Sequence, residues 1–203
     1  MRIIGLTGPS GAGKSTLCEK FCELGIPCIN TDEIYHEMTS HPSPCLTELA
    51  NQFGSEILTA EGTLDRPTLA RLVFAGDNKE DNLKALNAIT HKYVWEQTNK
   101  LLTEYIKNDK KAAVIDAPAL FSSRVFVGAC DTIISVLCDK ETRLERIIAR
   151  DGISRENALH RLNSQPDDSF FIENSDYYVM NSGTREETVS QLLSILHQEG
   201  LVK

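Results

Sequence analysis

Eight consecutive residues, Gly8-Pro9-Ser10-Gly11-Ala12-Gly13-Lys14-Ser15, satisfy the pattern G-x-x-x-x-G-K-[ST] in full. An apolar run precedes them and helical periodicity follows, the context in which this pattern carries chemistry rather than marking an idle glycine-rich turn. Glycines let the backbone curl so that successive N–H groups point at phosphate oxygens. The start of the following helix adds the positive end of its dipole. The residues placed to hold a nucleoside triphosphate are therefore Gly11, Ala12, Gly13, Lys14, Ser15 and Thr16. In this arrangement Lys14 reaches the β- and γ-phosphates and Ser15 ligates Mg²⁺.

Two carboxylates stand at the ends of apolar runs. Asp32 follows the second of them, and ligands of a parallel α/β sheet bind outside the carboxyl ends of strands. It is placed to accept the proton of an attacking hydroxyl; a helix cap for Glu33 onward is its alternative reading. Asp116 closes Ala112-Ala113-Val114-Ile115 and suits a Mg²⁺ ligand beside Ser15, the alternative being a turn residue before Pro118. Arg143, Arg146, Arg150 and Arg161 cluster around Asp151-Gly152. Some belong to a solvated helix face, but an arginine-rich segment hinged at Gly152 could also close over the γ-phosphate. Arg146 and Arg150 lie four apart on one face and are the candidates for that role. His91 and Trp95 share a helical face and read first as structural. No H-x-E, H-E-x-x-H or Cys/His spacing points to zinc.

The elements that must position these groups follow from periodicity. Arg2 to Thr7 reads as a buried strand, and Leu17, Phe21 and Leu24 mark a helix stopped by Gly25 and Pro27. Ile26 to Ile29 reads as a second strand, parallel to the first. From Asp32 to Asp81 the chain is irregular, with short helices and loops expected. Leu83, Leu86, Thr90, Val94 and Leu101 mark a long helix. Strands are expected at Ala112–Asp116, Thr132–Leu137 and Tyr177–Met180. Asp139 caps a helix that Gly152 ends, Ser154 starts another running to about Gln165, and Val189, Leu192, Leu193 and Leu196 mark a closing helix. The expectation is a three-layer α/β P-loop NTPase fold with a five-stranded parallel sheet, a helical substrate-binding insertion and a helical lid. The core is expected at 1–31, 82–139 and 164–203, with 32–81 as part of an acceptor-binding domain and 140–163 as the lid.

Composition narrows the function classes. With 41% hydrophobic and 25% charged residues among 203, the chain suits one soluble domain carrying insertions. Its 21 basic and 29 acidic residues give a net charge of −8, against a nucleic-acid or anionic-membrane binder. No membrane-length apolar run or signal-peptide pattern is present, and the six cysteines lack C-x-x-C spacing. They read as small buried hydrophobes in a reducing cytoplasm. Asn78-Lys79-Glu80-Asp81 matches the guanine-reading N-K-x-D, but no D-x-x-G accompanies it and no buried strand precedes it. That disfavours a switch GTPase.

Beyond the loop, an ordered series resembles the dephospho-coenzyme A kinases. It begins with Ile4-Gly5-Leu6-Thr7-Gly8, Glu23-Leu24-Gly25-Ile26-Pro27 and Thr31-Asp32. It continues through Gly62-Thr63-Leu64-Asp65-Arg66, Leu86-Asn87-Ala88-Ile89-Thr90-His91 and Asp116-Ala117-Pro118-Ala119-Leu120-Phe121. It closes with Arg146 to Ser154, Arg161, Ser164-Gln165 and Asn181-Ser182-Gly183. The resemblance implies ATP- and Mg²⁺-dependent phosphorylation of the 3′-hydroxyl of dephospho-coenzyme A. It implies Asp32 at the acceptor hydroxyl, Arg66 and His91 in or near the acceptor site, Arg146 and Arg150 as lid arginines, and Asn181 to Gly183 near the adenine. The departures are Pro9, Ser10 and Ala12 in the loop, Asn30 and Thr31 before Asp32, Lys92 after His91, and Ser122 after Phe121. The loop itself is closer to that of guanylate and cytidylate kinases, so a nucleoside-monophosphate kinase is one alternative and a non-catalytic ATP-binding regulator another. The oligomeric state stays open.

Overall fold

The structure is a computed structural model that describes residues 1–74 and 78–202. Its strands are β1 (Arg2–Thr7), β2 (Cys28–Asn30), β3 (Ala112–Asp116), β4 (Thr132–Leu137) and β5 (Tyr177–Met180). Its α-helices begin with α1 (Lys14–Glu23), α2 (Thr31–Thr39), α3 (Pro44–Phe53), α4 (Arg66–Phe74) and α5 (Lys79–Lys107). They continue with α6 (Arg124–Ala129), α7 (Lys140–Asp151), α8 (Arg155–Asn163), α9 (Asp168–Glu173) and α10 (Arg185–Gln198). The strands form one parallel sheet in the order β2-β3-β1-β4-β5. β1 pairs with both β3 and β4, with Leu6 beside Asp116 and Ile134. The α/β architecture read from the sequence is therefore the architecture observed.

The chain divides into two compact units, Met1–Ile29 with Leu102–Lys203, and Asn30–Leu101. In the first, strand residues two apart share a face. Ile4 and Leu6, Val114, Ile134 and Val136, and Val179 all pack with Leu17 and Phe21 of α1 and Leu192, Ile195 and Leu196 of α10. β3 and β4 are buried at every position, which explains why both read as unbroken apolar runs. α7 and α8 form a hairpin with a small core of their own, Leu144, Ile147, Ala158 and Leu162. Asp139 caps α7 through Thr142 N, and Gly152 ends it at φ 63°.

The second unit is built from α2, α3, α4 and α5. Ser43 caps α3 with Pro44 in the first turn, and a 3₁₀ turn at Ser55–Ile57 packs between α3 and α4. Lys92 and Tyr93 of α5 both donate to Glu48 Oε2 of α3, at 2.9 and 2.7 Å.

Three boundaries differ from expectation. β2 begins at Cys28 rather than Ile26, because the Ile26 amide closes α1 instead. Gly25 N donates to Cys22 O at 2.9 Å and Ile26 N to Phe21 O at 2.9 Å, the paired bonds of a glycine C-terminal cap. Residues 82–101, expected with the core, group with the second unit, while 140–163 group with the first. The cause is α5, one 29-residue helix whose periodicity does not register where its surroundings change. Cys22, expected to be buried, is exposed, and all six cysteines are free thiols. Among the described residues no helix is long and apolar enough to cross a membrane.

Candidate active site

The loop between β1 and α1 is wedged so tightly that its glycines are required. Gly8, Gly11 and Gly13 have φ of 141°, 79° and 89°, a region that side chains rarely adopt. A Cβ on Gly8 would meet Val136 O at 2.2 Å, and one on Gly11 would meet Arg143 O at 2.7 Å. One on Gly13 would meet the Asn181 side-chain nitrogen at 2.1 Å. Gly13→Ala is expected to destabilise the fold by about 1–3 kcal/mol from strain alone. Thermal denaturation would register that as a Tm several degrees lower.

Gly13 caps α1 with no side-chain bond, and the first turn of α1 carries no acidic residue. Asn30, Ser43, Asp139, Ser154, Asp167 and Thr184 cap other helices with a side-chain oxygen; at α1 the donors and the dipole face outward for an anion. Lys14 Nζ donates to Gly8 O at 3.2 Å, so its ammonium lies across the start of the loop. Ser15 is exposed one residue further on. Cys18, one turn along the same face of α1, donates its thiol to Asp116 Oδ2 at 3.6 Å. Asp116, 9% exposed at the end of β3, therefore stands beside the face that carries Ser15. A hydroxyl and a carboxylate suit Mg²⁺, which keeps its waters and takes phosphate oxygens rather than a protein cage. Among the described residues no group of three or more His, Cys, Asp or Glu could hold a metal by itself.

One face of α7 clasps the loop from the other side. Arg143, Arg146 and Arg150 are spaced i, i+3, i+7, and all three reach loop residues. Arg143 Nε donates to Ser10 O at 3.1 Å, and its Nη2 to Gln165 Oε1 at 3.2 Å. The same Gln165 oxygen accepts from Ser10 N at 3.0 Å. Burial pushes the Arg143 guanidinium below its usual range, and Asp168 at 3.5 Å opposes that. Arg146 Nη1 donates to Gly11 O and Ala12 O at 3.3 and 3.4 Å, and its Nη2 to Asn181 O at 3.2 Å. Loop carbonyls point away from a cradle built of N–H groups, so through these bonds Arg146 buttresses the loop. Arg150 is more open: it donates to Ser10 Oγ at 3.4 Å and pairs with Asp151, which Arg161 also engages.

Asn181 is a strut between the loop and α10. Only 5% exposed, it donates its side-chain amide to Ala12 O at 2.7 Å and accepts from Thr188 Oγ1 at 2.9 Å. Gly183 precedes Thr184, whose capping box with Glu187 starts α10. A Cβ on Gly183 would meet that glutamate's Oε2 at 2.1 Å.

In the second unit Asn30 caps α2 by accepting from the amides of Asp32 and Glu33 at 3.0 and 3.2 Å. The cap reading of Asp32 therefore goes to Asn30, and the Asp32 carboxylate is left exposed in the first turn of α2. Tyr35 and Thr39 follow Asp32 along the same helical face. Arg66 lies over it, 5.6 Å from the Tyr35 ring and donating to Thr39 Oγ1 at 3.4 Å. His91 is half-buried on α5, and burial pushes its imidazole below the ordinary value.

With this geometry in place, comparison with known proteins is direct. A family model described as dephospho-CoA kinase matches residues 2–187. The chain belongs to the dephospho-CoA kinase family. A dephospho-CoA kinase of Bacillus cereus (strain ZK / E33L) is 37% identical over 200 residues, 98% of each chain. The structure of a dephospho-CoA kinase from Campylobacter jejuni superposes with a TM-score of 0.67 at 26% identity, covering 98% of this chain and 100% of that one. A shikimate kinase from Acinetobacter baumannii superposes with a TM-score of 0.54 at 18% identity, covering 100% and 96%, a likeness of fold alone.

Within the family, the departures of this chain have a local explanation. Pro9, Ser10 and Ala12 fall at loop positions without positive φ, while the three glycines whose conformation the loop demands are all present. Asn30 keeps an oxygen acceptor for the first amides of α2. The loop-supporting roles of Arg143 and Gln165 are what sequence reading missed. The signal for Arg143 was available: it lies four residues before Ile147, on the inward face of α7.

Proposed function

We propose that this chain transfers the γ-phosphoryl group of ATP to the 3′-hydroxyl of dephospho-coenzyme A, giving coenzyme A and ADP in the cytoplasm. The observation that carries the reading is the glycine-wedged loop with Lys14 across its mouth, in a chain of this family. The bond formed is from the acceptor 3′-oxygen to phosphorus, and the bond broken is from phosphorus to the β,γ-bridging oxygen. The 3′-hydroxyl proton goes to the Asp32 carboxylate.

Amides of Gly11 to Thr16 and the start of α1 hold the phosphates, and Lys14 offsets charge on the β- and γ-oxygens. Ser15 and Asp116 would hold Mg²⁺, which supplies neutralisation of the β- and γ-phosphate charge when bound with ATP. Arg143, Arg146, Gln165 and Asn181 are positioning residues that keep the loop in shape. Arg150 is the arginine of α7 assigned to the transferring group. Arg66 and His91 are assigned to the acceptor, with residues 30–101 as its domain and α7–α8 as the lid.

The test is ADP release from Mg-ATP with dephospho-coenzyme A, GMP, CMP or UMP added separately. Stimulation by dephospho-coenzyme A alone is the expected result. Stimulation only by a monophosphate would replace the acceptor, and silence with all four would remove the enzyme reading.

A further inference from the structure

An apolar cavity of about 360 Å³ opens beside the start of the phosphate loop, within the first unit. Gly8 and Pro9 form one wall, Pro118, Ala119, Phe121 and Ser122 after β3 a second, and Gln165, Pro166, Phe170 and Phe171 a third. Its aromatic side is a cluster of Phe121, Phe170 and Phe171. Ring centroids of Phe121 and Phe170 are 5.5 Å apart at 88°, and those of Phe170 and Phe171 5.5 Å apart at 86°. Phe171 is buried, but Phe121 and Phe170 are half-exposed. The volume lies within the range of small-ligand clefts.

We infer that this cavity receives the purine ring of the acceptor. The inference rests on the activity proposed above and follows from the connectivity of the acceptor. Its base, on C1′, and the hydroxyl to be phosphorylated, on C3′, are carried by the same ribose with one ring carbon between. Whatever site binds that base must therefore lie next to the γ-phosphate. The γ end of the loop is marked by Lys14, which bonds the carbonyl of Gly8, and Gly8 lines the cavity. The base of ATP does not satisfy this condition, because a whole triphosphate separates it from its γ-phosphorus. The pantetheine arm leaves from C5′ and needs no aromatic wall. Stacking on phenyl rings suits a purine, and it supplies affinity without base-edge readout.

Gln165 adds a polar edge. Two donors, Ser10 N–H and Arg143, fix its side-chain oxygen toward the loop. Its NH₂ is thereby the end left to donate to a ring nitrogen. The aromatic wall and the loop are thus joined by one side chain.

Phe170→Ala and Phe121→Ala test this in the full chain. Each should raise KM for dephospho-coenzyme A roughly 10- to 100-fold while leaving KM for ATP unchanged. Phe170→Tyr should restore most of the loss. Calorimetry with the loop filled by Mg-ADP supplies a readout independent of turnover. Adenosine should bind the parent chain and fail to bind Phe170→Ala, whereas 4′-phosphopantetheine should bind both alike. An unchanged KM for dephospho-coenzyme A in both alanine variants, or a rise in KM for ATP instead, would overturn the proposal. If the parent chain does not phosphorylate dephospho-coenzyme A, the proposed activity falls. Adenosine binding with Mg-ADP present still decides the cavity: its retention in Phe170→Ala counts against it, its loss for it.

Discussion

Lys14→Ala is expected to lower kcat for phosphoryl transfer by about 10²–10³-fold, with ATP binding weakened far less. The ammonium donates to Gly8 O at 3.2 Å, which holds it across the mouth of the loop. There it is preorganised for charge that grows on the phosphate oxygens during transfer, and an interaction stronger in the transition state appears in kcat. Loop shape does not depend on it. Val136, Arg143 and Asn181 crowd the glycines, and Arg146, Gln165 and Asn181 bond the loop backbone, all without Lys14. The variant should therefore keep its Tm within a few degrees, separating lost chemistry from lost folding. Steady-state ADP release at saturating ATP, with Tm beside it, decides the matter. A variant that kept kcat within about threefold would show that transition-state charge is met elsewhere.

How much of this was legible before the structure depends on the range of the forces involved. β3, β4 and β5 were readable to the residue because each is an apolar run of strand length closed by turn or capping residues. α7 was readable because Asp139 and Gly152 announce its ends locally. The phosphate loop was readable because its backbone conformation demands glycine at three positions, and Lys14-Ser15 completes the pattern. The support of the loop was not. Gln165 meets Ser10 across 155 residues of chain and Asn181 meets Ala12 across 169, and no local pattern encodes such a pairing. The arginines of α7 were readable as one face, but not which way the face pointed. That depends on Leu144 and Ile147 packing against α8, which turns Arg143 inward and lays Arg146 on the loop carbonyls. Short helices such as α6 and α9, six residues each, are shorter than two turns and leave no periodicity to detect. Asn30 was weighed only as a departure from the family, and its capping bonds to α2 show why an oxygen acceptor is enough there.

Asp32→Asn is expected to lower kcat by about 10²–10⁴-fold while changing KM for ATP little. The substitution is close to isosteric, and the helix that presents it has other support. Asn30 caps α2 through two amides and also donates its side-chain amide to Glu33 Oε1 at 3.0 Å. Losing one of two acids from the first turn should cost about 0.3–1 kcal/mol through the helix dipole, a small fraction of total stability. The variant therefore separates two roles that a static arrangement leaves joined. An asparagine oxygen still accepts a hydrogen bond from the 3′-hydroxyl, so a purely orienting role would survive with a modest loss. An amide cannot take the proton, so a base would be lost outright. Because transfer to phosphorus is largely positioning and electrostatics, the hydroxyl proton moves late. The loss should accordingly sit in the chemical step, visible in single-turnover experiments even where product release limits the parent chain. Full kcat in Asp32→Asn would reassign the residue from proton acceptor to helix surface. A loss confined to KM for dephospho-coenzyme A would make it an acceptor-binding group beside Arg66, with the proton leaving to water.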